Sequence, residues 1–207
     1  MSIRIFDLIK GRRSIRKYSL REVPRDVLFK ILETARWAPS AHNAQPWRFI
    51  VVMDRSLKRK LAERMAEEWI KDMRRDGVPW NTREKLANAS IRQFTDAPVL
   101  IVACLTMEDM DTYPDSRRMT YEHIMAVQSL AASIQNILLA AYSEGLGACW
   151  FCAPLFCQDA VRKVLGIPSN VEPQALITLG YPSEKPAPPP RKPLREIVYI
   201  NYWGEKA

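Results

Sequence analysis

Glycine is scarce in this chain, with seven among 207 residues. No GxGxxG turn and no Walker loop occurs, so the glycine-rich cradles for dinucleotides and nucleoside triphosphates are excluded. Histidine is scarcer still. His42 and His123 stand far apart, which makes a Ser-His-Asp triad or a three-histidine zinc centre a poor fit. No GxSxG elbow is present. Cysteine is limited to Cys104, Cys149, Cys152 and Cys157. The single pair Cys149-x-x-Cys152 has no second CxxC to complete a zinc site, so buried small side chains are the better reading and no metal is expected. An enzyme with so few catalytic side chains leaves the hard chemistry to a bound cofactor.

Long uncharged apolar runs are missing too. The best candidate, Ile124 to Tyr142, carries Gln128, Ser129, Ser133, Gln135 and Asn136. So many polar groups are rare on a lipid-facing span, so the segment reads as a buried helix and no membrane is expected. Met1-Ser2-Ile3-Arg4 opens no signal peptide, and with free thiols the expected setting is cytoplasmic.

What is abundant is positive charge. Thirty-one Lys and Arg face 23 Asp and Glu, for a net charge of +8 and a pI near 9.5. That suits anionic partners: phosphates, carboxylates or nucleic acid. Nucleic-acid binding would need a basic face interleaved with exposed aromatics, or a groove-entering helix. No such motif appears, and acids interrupt the basic helix over 56–75, so no nucleic acid is expected.

The chain reads as one domain over 1–207, with an arm over 183–207. A short helix over 4–10 ends at Gly11. Pro24 opens a helix whose apolar face is Val27, Leu28, Ile31, Leu32 and Ala35, and Pro39 ends it. Strands are expected over 47–53, 98–105 and 173–179, with a short extended piece over 148–152. Helices are expected over 56–75, 83–94, 117–142 and 159–165. Five prolines between 186 and 193 make the arm extended, and Ile197 to Tyr202 reads as one more strand. A stiff arm carrying an apolar strand invites exchange with another chain's sheet edge; folding back onto its own sheet is the alternative.

Two constellations carry chemistry. Arg12-Arg13-Ser14-Ile15-Arg16 offers guanidiniums and a hydroxyl to a phosphate, or is a solvated basic turn. Pro39-Ser40-Ala41-His42-Asn43-Ala44-Gln45-Pro46-Trp47 offers amides and a hydroxyl to a heterocycle edge, or is turn chemistry.

Together these segments resemble the opening of nitroreductase-family flavoproteins. The likeness continues through Glu144-Gly145-Leu146-Gly147-Ala148-Cys149-Trp150, Ala175-Leu176-Ile177-Thr178-Leu179-Gly180-Tyr181-Pro182, and Arg191-Lys192. It implies an α+β fold with a central mixed sheet flanked by helices, the C-terminal strand exchanged with a partner subunit. It also implies a homodimer with two flavin mononucleotide (FMN) sites at its interface, NAD(P)H as electron donor and a small-molecule electron acceptor. By that resemblance Arg12, Arg13 and Ser14 hold the phosphate side, and Arg16 approaches the flavin N1/O2 edge. Pro39, Ser40 and Asn43 come from the partner chain, and Ala41 and Gln45 of the same loop are counted among the cofactor-binding residues. The backbone of Trp150, Phe151 and Cys152 lies beside the ring near N5, and Arg191 returns to the phosphate. The flavin carries the chemistry, so no side chain is expected as general base.

The middle of the chain is similar to one branch of that family. The likeness lies in 68–77, in Tyr113-Pro114-Asp115-Ser116-Arg117-Arg118 and in 156–161. The branch is the C-terminal reductase domain of the ligase that builds the deazaflavin coenzyme (factor 420). The resemblance implies a dehydro precursor of that coenzyme as acceptor. The basic residues Lys71, Arg74 and Arg75 then fit an anionic substrate, or they belong to a solvated helix paired with Glu63, Glu67 and Glu68. A general nitroaromatic or quinone reductase, and a flavin-binding protein without turnover, are the alternatives.

Overall fold

The computed structural model describes residues 5–205; Arg4, expected to start the first helix, lies outside them. Four strands build the sheet: β1 (Trp47–Val52), β2 (Val99–Thr106), β3 (Gly147–Phe151) and β4 (Val171–Gly180). Their order is β1-β2-β4-β3, and every ladder is antiparallel. Every residue of β2 is buried, which explains its unbroken apolar sequence.

The expected mixed sheet is therefore corrected, and the connections give the reason. From β1 the chain runs through α3 (Arg55–Arg75) and α4 (Trp80–Asp96). With two helices in the connection the chain reverses three times, so β2 returns antiparallel to β1. A single helix, α5 (Ser116–Ser143), joins β2 to β3, and these strands do point the same way. The later strand β4, however, inserts between them. Among the described residues, the parallel pairing outside the named strands is one bridge, Ser14 with Ala148.

Two apolar cores lie on the two faces of the sheet. On one face α2 (Arg25–Ala35) and α5 pack, with Ile31, Ile101, Ile134, Ile137 and Ile177 at the centre. On the other face lie α3, α4 and α6 (Gln158–Leu165), around Leu61, Phe94, Leu100, Val161 and Leu176. Helix α4 begins three residues before the expected 83, because Pro79 caps it and supplies the fixed φ that a first turn favours. Buried Lys58 joins α3 to the α4–β2 turn, donating from Nζ to the Pro98 carbonyl at 3.1 Å and to that of Ala97. Burial holds its pKa below the usual lysine value.

An 18-residue stretch of helix α5 reaches a mean hydropathy of 1.5, long and apolar enough to cross a bilayer, yet the helix lies against α2 and the sheet. Its outward stripe of Ile124, Gln128, Ala131, Gln135, Leu139 and Tyr142 carries no charge.

The expected strand over 197–202 does not form. A short helix α1 (Ile5–Gly11) and the 12–18 strip occupy one end of the molecule, and the arm leaves from Pro182 beside them. After a turn at Leu194–Glu196 the chain bends on itself, with Ile200 N–H donating to Glu205 and Tyr202 N–H to Ile200. A strand needs a sheet edge for its backbone groups, and among the described residues this segment joins none of the four strands. Ile197, Ile200, Tyr202 and Trp203 are left exposed.

Candidate active site

The first half of the site is a strip laid along β3. Ile15 N–H donates to the Ala148 carbonyl at 3.0 Å, next to the Ser14–Ala148 bridge. The fit is close: a Cβ on Gly147 would stand 2.6 Å from Ile15 Cβ, so this position requires glycine. Tyr18 fixes the far end, its hydroxyl 2.6 Å from Thr178 Oγ1 and also donating to the Ile15 carbonyl. Burial raises the Tyr18 pKa well above the usual phenol value. Glu184, at the start of the arm, accepts from the main-chain N–H of Arg16 at 2.6 Å and of Lys17 at 3.1 Å.

These contacts hold the strip by its backbone and leave its cations available. Neither the Arg12 nor the Arg16 guanidinium meets a carboxylate among the described residues. Arg16 stands over the Phe151 ring at 6.0 Å from its centroid. Arg13 is partly spent, since its Nη1 caps the end of α1 through the carbonyls of Lys10 (2.6 Å) and Arg12 (2.8 Å). A cleft of about 790 Å³ opens beside Arg12 and Arg13, between the C-terminal end of α5 and residues 182–188 of the arm.

Beyond the strip, β3 ends at the three residues expected beside the flavin ring. Trp150 packs against the α5 face, and its buried Nε1 donor has no hydrogen-bond partner among the described residues. Phe151 packs on the other face, edge-on to Phe94 at 5.2 Å. Cys152 is exposed and starts a 3-10 turn, while Cys104, Cys149 and Cys157 are buried; all four thiols are free. Burial raises the Cys149 pKa against the opposing charges of Arg16 and Arg12 and a hydrogen bond with Ser14, so these residues lie close together.

The second half is the loop over 39–45. It holds three non-glycine residues at positive φ: His42 (55°), Asn43 (53°) and Gln45 (49°). Such strain persists only where the surroundings impose it, and it concentrates at functional sites. Here Ser129 Oγ of α5 accepts from Ala41 N–H at 3.1 Å, and Ser40 Oγ accepts from Gln45 N–H at 3.1 Å. Asn43 and Pro39 are both exposed. His42 sits between Asp111 and Glu122, at 3.7 and 3.4 Å.

The chain does not bring its two halves together. The loop is pinned at Ser129, whereas Gly11 abuts Tyr142. Thirteen residues of helix separate those positions, roughly 20 Å along the axis. Arg191 is exposed on the arm, past the residues that line the cleft. Lys71 and Arg75 are engaged in helix ion pairs, with Glu68 at 2.7 Å and Asp72 at 3.0 Å, and Arg74 is exposed. The solvated-helix reading of this region fits those pairs better than the substrate reading.

A second pocket, of about 590 Å³, lies between α3 and α4 with Phe151 in its wall. Trp69, Leu86, Phe94 and Phe156 line it, and its charged residues are Asp72 and Asp76. Sequence reasoning missed this pocket, as it missed Glu184, Ser129 and Glu122. For Glu122 a signal existed: a carboxylate at an inward position of an otherwise apolar helix.

The sequence model of the nitroreductase family matches residues 9–181. This chain belongs to the nitroreductase family. It shares 36% identity over 184 residues with a protein of Methanothermobacter thermautotrophicus, provisionally named an NADH dehydrogenase/NAD(P)H nitroreductase; the match covers 88% of this chain and 79% of that one. Iodotyrosine deiodinase 1 of Pongo abelii is 32% identical over 203 residues, covering 94% of this chain and 68% of the deiodinase. Among solved structures, the NADPH:FMN oxidoreductase of Vibrio harveyi complexed with NAD+ has a TM-score of 0.74 at 22% identity, covering 98% and 79% of the two chains. At that identity the likeness speaks for the fold. The nitroreductase-family fold here is thus α+β, and the chain is an oxidoreductase of that family.

Proposed function

We propose that this nitroreductase-family protein is an FMN-dependent, NAD(P)H-oxidising reductase that works as a homodimer. The observation that carries the reading is the strip itself. Among the described residues Arg12 and Arg16 meet no carboxylate, the strip that carries them is held to β3 at Ile15, and the buried Trp150 indole of that strand has no hydrogen-bond partner. Unneutralised guanidiniums beside a cleft suit a phosphate-bearing planar cofactor, so the residues present fit FMN. The Vibrio harveyi neighbour, named for FMN and NADPH, supports the same choice.

FMN, when bound, supplies hydride transfer at its N5. The chain's own groups do the rest. Arg12, with Ser14 and the free edge of Arg13, would hold the phosphate end. Arg16 would place positive charge where electron density accumulates, an electrostatic contribution that requires no proton transfer. Ser40, Asn43 and Gln45, with Pro39 and Ala41 shaping the loop, would come from the second protomer. The roughly 20 Å along α5 that divides the two halves in one chain supports that origin. The uncharged outward stripe of α5 supplies a surface for antiparallel pairing, which brings Ser129 of one copy towards Tyr142 of the other. The arm's apolar residues 197–203 would then pair along the open edge of β1, with Arg191 carried toward the partner's site. The backbone at Trp150, Phe151 and Cys152 would flank the ring.

Two acceptors are in view. The similarity over 68–77 and 113–118 favours a dehydro precursor of a deazaflavin coenzyme. The aromatic pocket between α3 and α4, with acids and no Lys or Arg in its lining, favours an uncharged quinone or nitroaromatic. The protein would serve in the cytoplasm, as a single domain over the whole chain.

An absorption spectrum of the purified protein with added FMN, followed by anaerobic NADH and NADPH, tests the proposal. Bound flavin that bleaches with either donor and recovers with a quinone supports it. Failure to take up FMN would overturn it, and bound flavin without turnover would leave a binding protein.

A further inference from the structure

We propose that His42, Asp111 and Glu122 form a site for one divalent cation of the zinc type, directly behind the 39–45 loop. The three residues come from three elements: the loop, the segment between β2 and α5, and the first third of α5. One ligand atom from each lies within 4.8 Å of the others. Glu122 Oε1 is 3.4 Å from His42 Nε2, and Asp111 Oδ2 is 3.7 Å from His42 Nδ1. A tetrahedral ion with ligands at about 2.0–2.2 Å keeps its ligand atoms roughly 3.3–3.6 Å apart. The first of these spacings is already that of a coordination edge through Nε2; Asp111 faces the other ring nitrogen, so it closes on the ion from within the 4.8 Å that one atom of each residue shares.

The independent sign of a ligand is Glu122. Its side chain is 2% exposed, and its Oε2 has no hydrogen-bond partner among the described residues. The other oxygen faces His42 at a distance longer than a good charge-assisted hydrogen bond. A carboxylate buried with so little compensation is costly, and a coordinated cation removes that cost. The donors also select the ion. An imidazole nitrogen disfavours magnesium and calcium, and the lack of thiolate disfavours copper(I). One nitrogen and two carboxylates leave a fourth position for water, as zinc tolerates. The exposed sides of His42 and Asp111 provide the entry path.

An ion here would clamp a strained loop. His42 holds its left-handed backbone, and the loop's other tie to α5 is the Ala41–Ser129 hydrogen bond. The flavin role of that loop belongs to the proposal above; ion binding stands apart from it and is measured without flavin.

The test is calorimetric titration of dialysed full-length protein with Zn2+, with Co2+ as a spectroscopic probe. One equivalent per chain should bind with a Kd of about 1 μM or tighter. The cobalt spectrum should show no thiolate charge-transfer band, which separates this site from Cys152. Asp111→Asn, at an exposed position where folding is secure, should weaken binding about tenfold or more, and Glu122→Gln more strongly, as loss of a charged ligand implies. His42→Ala should abolish binding. Absence of saturable binding to the wild-type protein would overturn the site. So would affinity unchanged in Asp111→Asn and Glu122→Gln, or a thiolate band, and His42 would then be an ion-pair partner alone.

Discussion

Strand β2 and the C-terminal arm are built from the same kind of residue and meet opposite fates. Val99 to Leu105 is wholly buried between two helical layers. Ile197, Ile200, Tyr202 and Trp203 stand in solvent, Trp203 at 90% exposure. An apolar sequence is thus a demand for a partner, and the partner need not lie in the same chain. The body satisfies its demand internally; the arm does not, and in the proposed dimer a second copy would answer it and the outward face of α5.

The largest effects should fall on the body. Ile101→Ala removes a side chain at the centre of the sheet and should cost roughly 2–5 kcal/mol of unfolding free energy in a denaturant titration. Trp203→Ala should leave monomer stability within about 0.5 kcal/mol, as exposed substitutions do. It should instead raise the dimer dissociation constant seen by sedimentation. A Trp203→Ala protein as destabilised as Ile101→Ala would erase the distinction between the two regions.

Next come the cations of the strip. Arg12→Ala and Arg16→Ala should each lose FMN affinity by roughly ten- to a hundredfold in fluorescence titration, the scale of a charge-assisted hydrogen bond. Stability should scarcely change, since the backbone contacts of the strip remain. Unaltered FMN affinity in the double variant would refute the phosphate assignment.

The smallest effect is alkaline. Burial pushes the thiol of Cys104 up to about 12 and that of Cys157 up to about 11, from 9.0. Unfolding returns both to ordinary values. Their contribution is therefore complete below pH 9 and drains away as the pH climbs from 9 towards 11 and 12. Cys104→Ala should flatten the fall of unfolding free energy above pH 9. An unchanged slope would show that this thiol ionises equally in both states. The arm, without cysteine, takes no part in this term.

Periodicity made most elements legible. The apolar run at 98–105, the amphipathic face of α2 and the proline boundaries all lie in local sequence, and the structure follows them. Strand direction was not legible, because the place of β4 between β2 and β3 depends on packing far along the chain. The 197–202 segment has the composition of a strand, but composition does not supply the edge it needs. At the site, the two motifs could be picked out by their residues. The contacts that position them could not. Glu184 meets Arg16 across 168 residues, and Ser129 meets Ala41 across 88. Lys71 and Arg75 suggested an anion site by charge, yet their acids stand three residues earlier on the same helix.

In the proposed dimer one FMN site takes its cations from one protomer and its loop from the other. Co-expression of an Arg12→Ala/Arg16→Ala chain with a Ser40→Ala/Asn43→Ala chain tests it most directly. In the mixed dimer a shared site predicts one intact pocket, so about one FMN per dimer should be retained, with reductase activity that neither parent shows. Mixed dimers that hold no flavin would place both halves of the site within a single chain and rule out the shared pocket.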